Sequence, residues 1–244
     1  MLSYRNITKL IKNVRFFHST DDIYKRILNN QDRLYYHNMY CDFLKYRPST
    51  LKYLPICMNS ENSYKCAVST DGNNLKYLSK TNINELSKLA VLQNGVALKY
   101  VPIKLCDLEL CTMAVKKNGL ALEFVPIKLI TSELCHLAVK NNGLALRFVP
   151  KEFYSKKLFQ TALNNNPWSL KYVPDAFITY DLCFDMVKKN VHTLCLVPYN
   201  FRTKEMCYYA VGVNAWVLFD VPKNLYSDEL YRIVYNYHYK NTMF

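Results

Sequence analysis

ELCTMAVKKNGLALEFVP runs from Glu109 to Pro126, and ELCHLAVKNNGLALRFVP runs from Glu133 to Pro150. The two stretches start 24 residues apart and differ at few positions. The period extends outward from them. Val-Pro recurs as Val101-Pro102, Val125-Pro126, Val149-Pro150, Val173-Pro174, Val197-Pro198 and Val221-Pro222, always at a step of 24. Going back from Pro102, Ser79 after Leu78 and Pro55 after Leu54 stand at steps of 23 and 24, so the array begins near residue 41 in degenerate form. A fixed period of this size marks a tandem-repeat architecture, and duplication is its simplest origin.

Within one unit, Leu110, Met113, Ala114 and Lys117 recur at helical spacing, with Cys111 and Val115 beside them. This predicts a helix A. Acidic residues stand at its start (Glu85, Glu109, Glu133, Asp181, Glu229) and basic ones at its end (Lys116, Lys117, Lys140, Lys188, Lys189), the polarity that complements a helix dipole. The acidic residues at the helix starts are assigned to capping. Asn94-Gly95, Asn118-Gly119 and Asn142-Gly143 are expected to supply a left-handed residue that ends helix A. The apolar run Leu120, Ala121, Leu122, Phe124, Val125 is too short for a long helix and is closed by Pro126, so it reads as a two-turn helix B. Asn-Gly between apolar runs is also a hairpin signal, which leaves a strand as the alternative for this segment.

A pair of such short helices cannot cover its own apolar face, so each unit must stack on its neighbours. The predicted fold is all-α: an α-solenoid of about eight 24-residue helix-turn-helix repeats over residues 41–244, preceded by a basic N-terminal segment over residues 1–40. Leu98, Leu122, Leu146, Leu170, Leu194 and Leu218 should form one internal ladder, and Tyr100, Phe124, Phe148 and Tyr172 a second. The segment from Asp228 to Lys240 has the character of helix A with no helix B after it, which reads as a capping helix.

Composition agrees with a packed helical chain. Half of the 244 residues are apolar, 21% are charged, and there are only five glycines, too few for a Gly-rich β-architecture or a phosphate-cradling loop. The formal charge of +13 favours phosphate polymers, anionic membranes or acidic proteins as partners. Part of it is accounted for by a Tyr-, Asn-, Lys- and Ile-rich bias of the kind AT-rich codons impose. Nine cysteines without a secretory signal suggest a reducing, intracellular compartment, and no run reaches the roughly 20 apolar residues of a membrane span. The first twenty residues, without an acidic residue before Asp21, read either as a mitochondrial presequence or as a basic amphipathic helix.

An acidic residue, Leu-Cys, Ala-Val-Lys-x-Asn-Gly, Leu-Ala-Leu and aromatic-Val-Pro together resemble short repeats of unassigned function that abound in proteins of mimivirus-like giant viruses and also occur in some amoeba-associated bacteria. Residues 85–222 carry the likeness well, 41–79 loosely, and the first 40 not at all. What it implies is a small α-solenoid of viral origin; it implies no activity. Pro167-Trp168 in place of Asn-Gly-Leu, His192-Thr193 with Cys195, and Asp220 in place of an aromatic depart from the pattern. Those units are expected either to tolerate change in their turns or to form the partner-specific part of the surface.

The search for chemistry returns packing residues. Cys111, Cys135, Cys183 and Cys207 share one register with Phe159, and equivalent helices roughly 8–10 Å apart are too far for disulfides, which need Cα atoms within about 7 Å. No Cys-x-x-Cys pair offers a zinc site, and the one close Cys-His couple is Cys135-His136. His18, His37, His136, His192 and His238 occupy unrelated repeat positions, without a nucleophile or carboxylate at a characteristic spacing. No enzyme activity, cofactor or metal is expected. The residues three before each proline (Lys52, Lys76, Lys99, Glu123, Arg147, Lys171) form a largely basic row. With Lys116, Lys117, Lys140, Lys188 and Lys189 on helix A, and with Trp168 as a contact, they make the candidate binding surface. The expected function is a non-enzymatic scaffold or adaptor holding an acidic protein partner, with RNA or DNA, in a nucleoprotein or translation assembly, as the alternative.

Overall fold

The computed structural model describes residues 61–78 and 83–242. The expected N-terminal segment, Lys52 and the loosely matching units before residue 61 lie outside the described residues. Eight α-helices follow one another: α1 (Glu61–Thr70), α2 (Ile83–Gln93), α3 (Leu108–Lys117), α4 (Ser132–Asn141), α5 (Lys156–Asn165), α6 (Tyr180–Lys189), α7 (Lys204–Val213) and α8 (Asp228–Thr242). These are the helices A, and no strand occurs among the described residues. The fold is an all-α tandem-repeat solenoid.

Helix B is present at the expected length but as a 310 helix. Six-residue 310 segments span Gly72–Tyr77, Gly95–Tyr100, Gly119–Phe124, Gly143–Phe148, Pro167–Tyr172, Val191–Leu196 and Ala215–Asp220, each following one α-helix. Six residues make two turns of a 310 helix, closed by bonds such as Ala121 N–H to Asn118 O at 2.9 Å. The Val-Pro pair then stops it, because the residue before proline is held extended: Val125 has φ −73°, ψ 128°. A further three-residue 310 turn after each proline, such as Ile127–Leu129, carries the chain back to the next helix A and has no counterpart in the sequence reading.

The join between the two helices also differs from expectation. Asn118 has φ −150°, ψ 115°, which is extended, and none of the glycines at residues 72, 95, 119 and 143 lies in the left-handed region. The asparagine works through both ends of its residue. Its backbone N–H donates to Ala114 O (2.9 Å) and closes α3, while its Oδ1 accepts from Leu120 N–H (3.0 Å) and opens the 310 helix. Gly119 is required by proximity to the next unit: a Cβ on it would stand 2.3 Å from Ala138 O. Gly72, Gly95 and Gly143 face Ala90, Ala114 and Ala162 in the same way.

The α-helix caps are a second correction. Asp107, Thr131, Ser155, Thr179, Thr203 and Ser227 accept from the N–H three residues on, so the recurring Glu109, Glu133, Asp181 and Glu229 sit inside the first turn. There they complement the dipole without capping it.

Successive α-helices pack on one another, least at the step from α5 to α6, and each six-residue 310 segment packs on those of adjacent units. One continuous core lies between the two layers. In the Glu109–Pro126 unit it takes Leu110, Cys111, Ala114 and Val115 from the α-helix and Ala121, Leu122 and Val125 from the 310 side. Leu98, Leu122, Leu146, Leu170 and Leu194 form the expected buried ladder, but Leu218 is only half-buried. Tyr100, Phe124, Phe148 and Tyr172 are half-buried against this core. The helix from Asp228 is present as α8, with Leu230 as its buried anchor.

Candidate binding face

In a 310 helix residues three apart eclipse one another, so the second and fifth residues of each six-residue segment share one face. Stacking the segments therefore builds two parallel columns. The second positions are Asn73, Val96, Leu120, Leu144, Trp168, His192 and Trp216, and the fifth are Lys76, Lys99, Glu123, Arg147, Lys171, Cys195 and Phe219. Val96, Leu120 and Leu144 are half-buried, whereas Trp168 is 40% and Trp216 67% exposed. All seven fifth-position residues are exposed, Phe219 by 82%. A largely apolar and aromatic column thus runs beside one that is mostly basic in the first units described.

Three cations of the fifth column, Lys76, Lys99 and Arg147, lie over the aromatic residue that follows them. Lys99 Nζ is 4.8 Å from the centre of the Tyr100 ring, and Arg147 Cζ 4.2 Å from that of Phe148. Glu123 interrupts the row and reaches Arg147 at 3.9 Å, an exposed contact of small energetic weight. Lys99 and Lys171 make no ion pair with a carboxylate among the described residues.

Lys116, Lys117, Lys140 and Lys189 end the α-helices one or two residues before the asparagine that starts each 310 helix, and Lys140 lines the cleft between α4 and α5. Lys189 donates from Nζ to Asn164 Oδ1 across the joint between units (2.8 Å). Lys188 points elsewhere: its Nζ lies 4.3 Å from the Phe184 ring centre, back along α6. The fold therefore gathers Lys99, Arg147, Lys171 and Trp168 on one face, while Lys140 lines the cleft between α4 and α5 and Lys188 turns onto Phe184.

Three arrangements were not read from the sequence. Asn141 Nδ2 donates to Lys116 O (2.9 Å) while its Oδ1 accepts from Gly119 N–H (2.7 Å), clamping one unit to the one before. Asn165 does the same to Lys140 O and Gly143 N–H, and Gln93 to Thr70 O and Gly72 N–H. The amide at the last residue of helix A, in an array otherwise rich in lysine there, was the available signal. Next, Arg202 donates to the carbonyls of Val197, Asp220 and Cys195, holding two units together with one guanidinium. Last, every 310 helix from Gly95 onward is capped by asparagine, although the oxygen alone is what a cap uses.

Ionisable groups elsewhere are set up for packing. Burial pushes the Cys111 thiol up to about 12 and those of Cys135, Cys183 and Cys207 up to about 11, so they stay neutral inside the core. Cys106, Cys111, Cys135, Cys183, Cys195 and Cys207 form no disulfide. A shallow cleft between α4 and α5 is lined by Ser132, Glu133, His136, Leu137, Lys140, Lys157 and Thr161. In it, the His136 Nδ1 contacts Ser132 O of its own helix (2.9 Å). The backbone N–H of Glu133 and the Thr131 hydroxyl hold the Glu133 carboxyl below the usual range. Neither group activates a nucleophile. Among the described residues no three His, Cys, Asp or Glu side chains are grouped so as to hold a metal ion, and no helix is long and apolar enough to cross a membrane.

Fold and face together define a tandem helical-repeat protein with an extended surface. Residues 85–130 and 132–178 each match the model of a family described as a domain of unknown function (DUF4116). Each match spans close to two of the 24-residue units, which fits a repeat family. No curated protein and no solved structure matches the chain.

Proposed function

We propose that this protein is a non-enzymatic repeat scaffold or adaptor that holds an acidic protein partner along the face of its stacked 310 helices. The observation that carries the reading is the layout of that face, with the exposed Lys99, Arg147 and Lys171 running beside a largely apolar and aromatic column. Such a surface offers burial to apolar side chains and charge complementarity to the acidic residues around them. The neutral core thiols suit a reducing compartment such as the cytoplasm. The likeness to giant-virus repeats, with the Asn-, Ile-, Lys- and Tyr-rich composition, supports a viral origin and an infected host cell as the setting.

Trp168 and Trp216 support a second reading, in which RNA or DNA stacks its bases on the first column and lays phosphates along the lysines. One experiment separates the two. The tagged full chain and its K99E/R147E/K171E variant are used as baits with and without nuclease. The adaptor reading expects a stoichiometric acidic protein that survives nuclease and is lost from the variant. Co-purified nucleic acid whose removal empties the bait would replace it with the second reading, and a variant that binds as the parent does would contradict both.

A further inference from the structure

Asn94-Gly95, Asn118-Gly119 and Asn142-Gly143 are the asparagine–glycine steps of the chain. Such a step can react with itself, because glycine has no Cβ to shield its nitrogen. The glycine N–H gives up its proton and the nitrogen attacks the asparagine Cγ. A C–N bond forms, the bond from Cγ to the side-chain nitrogen breaks, and ammonia leaves. The cyclic imide then takes up water and opens at either carbonyl, to aspartate or to isoaspartate with the main chain routed through Cβ. In total one water is consumed and one ammonia released. A hydrogen bond from the glycine N–H opposes the reaction, because it must break before the nitrogen can attack.

The three steps share their backbone, their cap and their packing. Asn94 has φ −143°, ψ 110°, Asn118 φ −150°, ψ 115°, and Asn142 φ −146°, ψ 111°. Each Oδ1 accepts from the N–H two residues on, at 3.1, 3.0 and 3.0 Å. All three asparagines are half-buried and all three glycines buried. A Cβ on Gly95, Gly119 or Gly143 would stand 2.2, 2.3 or 2.3 Å from the alanine carbonyl of the next unit. What differs is the attacking nitrogen. Gly119 N–H donates to Asn141 Oδ1 and Gly143 N–H to Asn165 Oδ1, both at 2.7 Å. Asp71-Gly72, open to the same cyclisation, is held likewise by Gln93 Oε1 (2.7 Å). The residue in that register for Gly95 is Lys117, whose side chain carries no acceptor, and Gly95 N–H makes no hydrogen bond among the described residues.

We infer that Asn94-Gly95 is a site of spontaneous deamidation, and that the amide clamps of Asn141 and Asn165 keep Asn118 and Asn142 from the same fate. The inference is independent of what the face binds. The two products act differently on the stack. Aspartate keeps a capping oxygen, as Asp71 does in the preceding unit, and adds a negative charge at the start of the 310 helix that carries Lys99. Isoaspartate lengthens the main chain by one carbon immediately before Gly95, where the contact with Ala114 O leaves no room, so it uncouples α2 from α3. The missing clamp thus makes this joint the one at which the repeat array ages.

The test incubates the full chain in mildly alkaline buffer and follows the tryptic peptide of each step by mass spectrometry, with isoaspartate scored by enzymatic methylation. Asn94 should deamidate at least about fivefold faster than Asn118 or Asn142, the factor that one net hydrogen bond implies. Lys117→Asn supplies the clamp and should slow Asn94 to the rate of Asn118. Asn141→Ala removes one and should speed Asn118 while Asn142 keeps its parental rate. In the denatured chain the three steps should react alike. Equal rates in the folded parent, or no protection of Asn94 by Lys117→Asn, would overturn the inference. So would equal acceleration of Asn118 and Asn142 in Asn141→Ala, which would trace the reaction to global unfolding. A preference for Asn94 that persists undiminished in the denatured chain would assign it to neighbouring residues instead of the clamp, and overturns the inference as well.

Discussion

The joint between α3 and α4 and the joint between α5 and α6 solve the same packing problem in opposite ways. At the first, Gly119 lies against Ala138, with no room for a side chain, and the Asn141 amide bridges the units. At the second, the same register places Pro167 opposite Met186. Direct packing of α5 on α6 thins, and so does that of α6 on α7. Proline has no N–H to satisfy, and the clamp position in the next unit is Lys189 instead of an amide. Larger rings take up the space. Phe159, in the register held by cysteine in four other units, lies 5.2 Å from Tyr154 and 4.9 Å from Phe177, and Phe184 is 5.8 Å from Tyr209. The lesson is that the glycine is a joint residue: it can be replaced only if the opposing alanine and the clamp change with it. The stack accordingly has a tight block through α5 and a looser stretch over α5–α7, where the 310 layer also thins and stays thin through Ala215–Asp220, while α8 packs on α7 as closely as the helices of the tight block; the exposed Trp168, His192 and Trp216 belong to the thinner 310 layer.

The largest difference between the blocks is expected in the leucine ladder. Leu122→Ala should cost about 3–4 kcal/mol, because Leu122 is fully buried, and Leu218→Ala less than half as much, because Leu218 is half-buried. Chemical denaturation midpoints at constant m-value measure both; equal losses would mean that the ladder does not weaken along the array. Next, Gly119→Ala should destabilise by about 2–3 kcal/mol although alanine is the better helix former, since the new methyl meets backbone. Ala215→Gly in the thinner 310 layer should cost no more than about 1 kcal/mol. A neutral Gly119→Ala would remove the basis of the comparison.

A smaller step is expected at the clamps. Asn141→Ala leaves Gly119 N–H and Lys116 O without their partner and should cost about 1–2 kcal/mol. Lys189→Ala, at the same register, should stay within about 0.5 kcal/mol. The core thiols give the finest reading. Burial raises their folded-state values above the ordinary 9.0. Below about pH 9 they are neutral in both states and their contribution to stability is intact. From there to about pH 11 the unfolded chain releases protons that the folded one retains, so stability should fall with rising pH. At pH 8 iodoacetamide should label exposed Cys195 first, and Cys183 and Cys207 ahead of Cys111 and Cys135. Labelling in the reverse order would place the looser stretch at the other end.

Much of this was legible because repeats expose their own logic. The 24-residue period, helix A, the length of helix B and five of the six ladder leucines follow from apolar spacing and from proline alone. What was not legible depends on neighbours in space. The reason for Gly119 is Ala138, nineteen residues away and in the next unit, so a local turn rule assigned it a left-handed conformation that it does not have. Two turns of 310 and a short α-helix place almost the same residues inside, so apolar pattern could not separate them. Asp107 and Thr131 are ordinary cap residues that the neighbouring Glu109 and Glu133 obscured. The basic row was visible as a row, but the apolar column beside it appears only once the segments are known to be 310, where residues three apart align. The turning of Lys188 onto Phe184 had no signal in composition.

Native-state hydrogen exchange, followed peptide by peptide along the full chain, tests the two-block stack most directly. Amides of α3, α4 and the first turns of α5 should exchange together and last, through one cooperative opening, while those of α6 and α7 exchange earlier and separately. Uniform protection from α3 to α7, or later exchange in α6 and α7 than in α3 and α4, would contradict the glycine–alanine joints as the source of the tight block.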